Sequence, residues 1–213
     1  MKTINNFSKG VLAGICIGLG GTIYLKVGGV AGACLFAFGL IAVISLGLNL
    51  FTGKAQFVWS PRANDYGWLA GILGLNIVGC LAVALAVSTP AIQDSAINVI
   101  NGRLTIYSPL RNGILAIGCG FIMTLAVQNA TKGKWLPLLF GIPAFILCSL
   151  PHCVADAFYI CALPADYLFE HASEIIPFYA AIVIGNFLGC NAYRLVAPGL
   201  SRPQPLEQPS LRP

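Results

Sequence analysis

The chain has 213 residues, of which 57% are hydrophobic and only 9% charged, with 24 glycines and a mean hydropathy of +0.82. A soluble domain carries roughly 25% charged residues, so this chain lacks the polar surface to stand in water, and disorder, which needs high charge and few apolar residues, is excluded as well. The net charge of +5 sits at the ends of apolar segments rather than in a basic stripe, which excludes nucleic acid as a partner. The composition is that of a polytopic membrane protein, with the lipid bilayer as its solvent.

Crossing a bilayer core takes about 20 largely apolar helical residues. Lys2 and Lys9 precede an apolar run over 11–25. Further apolar spans follow and no small-residue cleavage site is convincing, so this run is predicted to be a first transmembrane helix and not a signal peptide. Uncharged stretches then cover 27–53, 66–93, 112–131, 135–165 and 175–193, making six predicted spans. The fifth holds the single acidic residue within any span, Asp156, and the single intramembrane histidine, His152. One side of this arrangement collects nine of the twelve lysines and arginines, against Lys26, Arg103 and Arg111 on the other. The positive-inside rule therefore predicts both termini in the cytoplasm, with the protein in the cell's inner (plasma) membrane.

Spans three and six share a pattern, Asn76-Ile77-Val78-Gly79-Cys80 against Asn186-Phe187-Leu188-Gly189-Cys190. Each is the third span of a three-span half, and because three is odd, two such halves must have opposite topology. The predicted fold is thus an all-α membrane protein of two inverted repeats, about 10–93 and 110–197, within a channel domain over 1–198. The proline-rich segment 199–213 is predicted to be a short disordered tail.

Spans two and five are the middle spans of their halves. Span two ends in Gly47-Leu48-Asn49-Leu50-Phe51-Thr52-Gly53, and span five is interrupted at Ser149-Leu150-Pro151-His152. Proline removes a backbone donor and breaks the helical ladder, and broken backbone at membrane depth survives only inside protein or along a polar cavity. Corresponding interrupted helices therefore mark a pathway. An ionisable group inside a membrane faces a pathway or a partner, which points to His152. Asp156 lies one turn further on, placed to orient the imidazole, to hold a broken helix end, or to mark a wetted depth.

The eight cysteines lie inside apolar runs without a Cys-x-x-Cys pair, so they read as small packing residues and no metal or other cofactor is predicted. Gly14 with Gly18, Gly28 with Gly32, and Gly185 with Gly189 are small-xxx-small pairs that let helices approach. Trp59, Trp68 and Trp135 lie near span ends, as an interfacial belt does.

The segment 7–58, with Ala13-Gly14, Phe36-Ala37-Phe38-Gly39-Leu40 and Leu50-Phe51-Thr52-Gly53, resembles the first two helices of the formate/nitrite transporter family. Cys119-Gly120 with Leu125-Ala126-Val127 is similar to that family's fourth helix, His152-Cys153-Val154-Ala155-Asp156-Ala157-Phe158 to its histidine-containing fifth, and Gly185-Asn186 with Gly189 to its sixth. The likeness runs in order over about 7–195. It implies an aquaporin-like protomer with broken second and fifth helices, assembled as a homopentamer with one pore per protomer. It implies passage of small weak-acid anions, formate, nitrite, hydrosulfide or short carboxylates, together with protons. By the same resemblance His152 would be the central pore histidine and Thr52 the hydroxyl facing it. Leu50 with Phe145 would form one apolar constriction and Phe36 with Leu40 the other. Asn76 and Asn186 would be helix-packing or cavity asparagines rather than substrate contacts; Asn49 and Asp156, which depart from the family pattern, are expected as further support for the site. Pro151 stands where the family often has an acidic residue, Asp156 where asparagine is usual, Asn49 where an acidic residue is common, and Gly120 where asparagine is frequent.

An anion in a narrow apolar pore suffers a desolvation cost of several kcal/mol, so rings of Leu and Phe would block free ions, and a histidine between them would offer a proton or a hydrogen bond. A pore for neutral solutes such as water, glycerol or ammonia is the alternative, with His152 as a filter donor. An enzyme is disfavoured. Haem generally wants paired axial ligands, and a His152–Cys153 dyad fails because adjacent helical residues point about 100° apart.

Overall fold

A computed structural model describes residues 2–58 and 62–196, and every regular element among them is helical. Trp59 and the proline-rich tail fall outside the described residues. Helix α1 (Lys2–Val27) ends at Gly28 and Gly29, whose φ of +66° and +54° turn the chain into α2 (Gly29–Ser45). Gly28 thus terminates a helix and does not pack against one, unlike the spacing-based expectation for it. After α2 the chain breaks, and a short helix, α3 (Phe51–Ala55), follows.

Helix α4 (Ala63–Val87) is shorter than the expected span over 66–93. Thr89 caps a new helix, α5 (Pro90–Ile106), with its hydroxyl facing the Ile92 N–H, and Pro90 takes the first position, where its missing donor costs nothing. Gln93, Asp94, Asn98, Asn101 and Arg103 make α5 too polar to span lipid, while Ile92, Ala96 and Ile100, four residues apart, bury one face. Helix α6 (Pro109–Ala130) begins the same way, capped by Ser108. Helix α7 (Leu136–Leu147) is followed by a second break and by α8 (Cys153–Cys161), so the fifth predicted span is two helices. Helices α9 (Ala165–Glu170), α10 (Ala172–Cys190) and α11 (Ala192–Val196) complete the described chain.

Among the described residues four helices, α1, α4, α6 and α10, are long and apolar enough to cross a membrane, while α2 and α7 are shorter apolar helices. α1 crosses α4, and α6 crosses α10, at glycines that allow backbone contact. A Cβ on Gly79 would stand 2.1 Å from the Val11 carbonyl, and one on Gly189 2.1 Å from the Ile117 carbonyl. Val30, Phe38, Leu85, Leu110, Phe140 and Ile184 are more than half exposed, an apolar surface that suits lipid or a neighbouring subunit and not water.

Candidate functional site

The two breaks have the same backbone hydrogen bonds. Leu46 N–H donates to Ala42, Gly47 to Ile44 and Leu48 to Val43; Cys148 donates to Ala144, Ser149 to Ile146 and Leu150 to Phe145, all at 2.9–3.1 Å. Both are helix ends closed by one residue at positive φ, Gly47 at +60° and Ser149 at +54°. Such ends expose polar backbone groups, which must be satisfied when buried. Two asparagines do this. Asn76 Oδ1 accepts the Phe51 N–H at 2.9 Å while its Nδ2 donates to the carbonyls of Asn49 (2.9 Å) and Gly10 (2.8 Å). Asn186 Oδ1 accepts the Cys153 N–H at 2.8 Å while its Nδ2 donates to Pro151 (3.0 Å) and Ala116 (2.8 Å). Both are fully buried staples joining a third helix to the break of its own half. One turn further, two thiols cross between halves: Cys80 Sγ points at the Val154 carbonyl (3.5 Å) and Cys190 Sγ at that of Thr52 (3.4 Å).

The half-helices α3 and α8 meet at their first residues. His152, the N-cap of α8, accepts the Ala155 N–H at Nδ1 (3.1 Å), so the neutral ring carries its proton on Nε2. That proton is directed at Thr52 Oγ1, 3.0 Å away, and both side chains are almost wholly buried. Phe145 stacks on the imidazole with ring centroids 5.7 Å apart. Asp156 does not touch the imidazole; its Oδ2 accepts the His152 backbone N–H at 2.8 Å, so of the three roles open in the sequence it holds the helix end.

A cavity of about 220 Å³ lies on one side of the His152–Thr52 contact, lined by His152, Phe145, Leu150, Arg103, Asp156 and Tyr159 among others. A smaller one, about 60 Å³, is lined by Leu40, Val43, Leu50, Lys54, Val127 and Thr131, among others. The apolar residues group differently from the pairing that the resemblance implies. Phe36 packs edge-on against Phe145, with centroids 6.4 Å apart, whereas Leu40 and Leu50 share the smaller cavity. Asn49, nearly buried, is tied by its backbone N–H to the Lys9 carbonyl and by Nδ2 to Asn6. Sequence reasoning missed Arg103, which pairs with Asp156 at 2.5 Å, and Val127 opposite the leucines. The polar stretch after Pro90 was the available signal for the first; the second stood in the Leu125-Ala126-Val127 segment of the resemblance, with no site role attached to it.

A paired helix break holding a buried histidine beside a cavity, in an apolar helical chain, suits a membrane permeation protein. The family model "Formate/nitrite transporter" matches residues 1–196, and the chain belongs to this transporter family. It is 31% identical to the "Uncharacterized transporter YrhG" of Bacillus subtilis (strain 168), over 83% of this chain and 79% of that protein. Among solved structures it is similar to a "Pentameric formate channel with formate bound" (TM-score 0.75, 18% identity, 91% of this chain and 94% of that one). It is likewise similar to an "FNT family ion channel" (TM-score 0.72, 19% identity, 90% and 87%). The fold is that of these channels.

Proposed function

We propose that the chain conducts small weak-acid anions, formate foremost, past His152, as a homopentamer with one pore in each protomer. The observation that carries this reading is the His152–Thr52 contact at the meeting of two half-helices, with His152 lining the larger cavity. The proton on Nε2 is the group an anion meets, and the N-terminal end of α8 adds partial positive charge there. A carboxylate that takes over the hydrogen bond from Thr52 regains part of the solvation it loses between Phe36 with Phe145 on one side and Leu40 with Leu50 on the other. Formate passes as the neutral acid or as the hydrogen-bonded anion, and protons travel with it in the first case. In this reading the two halves are inverted repeats, and the excess of Lys and Arg on the side of the six-span arrangement that holds the termini puts that side in the cytoplasm and the protein in the plasma membrane.

Stopped-flow light scattering on proteoliposomes tests this reading. Rapid, pH-dependent uptake of sodium formate without glycerol uptake is expected, and His152→Ala is expected to lower formate uptake by about tenfold or more and to flatten its pH profile. Formate uptake by His152→Ala with an unchanged pH profile sinks the role of the histidine. Glycerol uptake without formate uptake replaces the anion pore by a neutral-solute pore of the same fold.

A further inference from the structure

Arg103 stands on α5, outside the two halves' helix bundle pattern, yet its side chain reaches both ends of the second break. Its Nε pairs with Asp156 Oδ1 at 2.5 Å, in the first turn of α8, and its Nη1 donates to the Ser149 carbonyl at 3.1 Å, at the end that follows α7. The second oxygen of Asp156 is occupied by the His152 N–H. We propose that Arg103 and Asp156 act as one charged strap across this break, and that both are positioning residues for His152.

Three features make the strap specific to this half. Asp156 is wholly buried, and a buried carboxylate persists only when paired and hydrogen-bonded. Ser149 holds a left-handed conformation with a Cβ, and Pro151 contributes no N–H, so this break is less able to hold its own shape than one built on Gly47 and Asn49. The base of the strap is itself anchored: Asn112 Nδ2 donates to the Arg103 carbonyl at 3.0 Å, and Tyr167 Oη donates to Asn101 Oδ1 from α9. A guanidinium holds two acceptors in a fixed fork, which an ammonium on a flexible stem does not. The strap therefore ties the position of α5, which lines the larger cavity, to the backbone that carries the imidazole.

The test is a double-mutant cycle on the purified full chain, read twice: by thermal melting in detergent and by formate uptake into proteoliposomes. Only the uptake rests on the pore reading above. Arg103→Gln leaves a buried unpaired carboxylate and is expected to lower the melting temperature and to cut maximal uptake by about tenfold, more than it moves half-saturation. Asp156→Asn keeps an acceptor for the His152 N–H and is expected to cost about threefold. Combined with Asp156→Asn, the Arg103→Gln penalty is expected to shrink in both readouts, in uptake from about tenfold to about the threefold that loss of the Ser149 grip costs. Independent losses that simply accumulate in the double variant overturn the strap. Should Arg103→Gln not fold, Arg103→Lys decides: it keeps the pair with Asp156 but not the second grip, so near-normal melting with about threefold slower uptake is expected, and wild-type uptake overturns the two-ended hold. If wild-type protein takes up no formate, the pore reading falls while the melting cycle still decides the strap.

Discussion

The two helix breaks share a backbone and differ in nearly every side chain. Gly47, Asn49, Leu50 and Lys54 of the first correspond to Ser149, Pro151, His152 and Asp156 of the second, position by position from the matching hydrogen bonds. The first places an aliphatic side chain and a lysine on the smaller cavity; the second places an imidazole and a carboxylate on the larger. Each break is held by an asparagine from another helix gripping only backbone atoms, so this frame places no demand on the side chains of the break. The same frame carries a leucine and a lysine in one half and an imidazole and a carboxylate in the other.

The largest effect that tests this equivalence comes from the staples. Asn76→Leu and Asn186→Leu each strand two buried backbone groups of a break, at about 1–3 kcal/mol apiece, and lose a further bond to a helix carbonyl. Both variants are expected to yield little or no assembled protein by size-exclusion chromatography. Collapse of one and not the other would show that the halves do not carry equal weight.

A middle-sized effect separates the two left-handed residues. Gly47→Ala is expected to destabilise by about 1–2 kcal/mol, the cost of a Cβ at positive φ. Ser149→Gly relieves that same strain and adds unfolded-state freedom, so melting is expected to shift by less than about 1 kcal/mol. Equal losses at the two positions would contradict the reading of Ser149 as the strained partner. The smallest effect concerns the crossed thiols. Cys80→Ala and Cys190→Ala each lose a weak contact to a carbonyl of the opposite half, and each is expected to cost less than about 1 kcal/mol with matching melting shifts.

Much of this was legible in residue order. Pro151 and the Gly47–Asn49 stretch mark the breaks because proline and glycine act on the backbone where they stand. His152 and Asp156 stand out because charge-bearing groups are rare in apolar runs. The repeated Asn-x-x-Gly-Cys pattern pointed to two related halves, although what the asparagines do came only from seeing Phe51 and Cys153 on their carbonyl oxygens. The expected third span runs past the end of α4 at Val87 to 93, because the absence of charge does not register the helix stop and new cap at Thr89-Pro90.

By itself, then, the sequence determined the solvent of this protein, the places where its helices stop, and the ionisable residues within its membrane-depth segments, since hydropathy and backbone propensity are properties of neighbouring residues. Tertiary structure decided which groups meet: Arg103 with Asp156, Thr52 with His152, Phe36 with Phe145, and each asparagine with its break. Those partners come from different helices, which no local backbone preference brings within bonding distance; the packing of the helices does, with close backbone approach at Gly79 and Gly189 on the two helices that carry the asparagines.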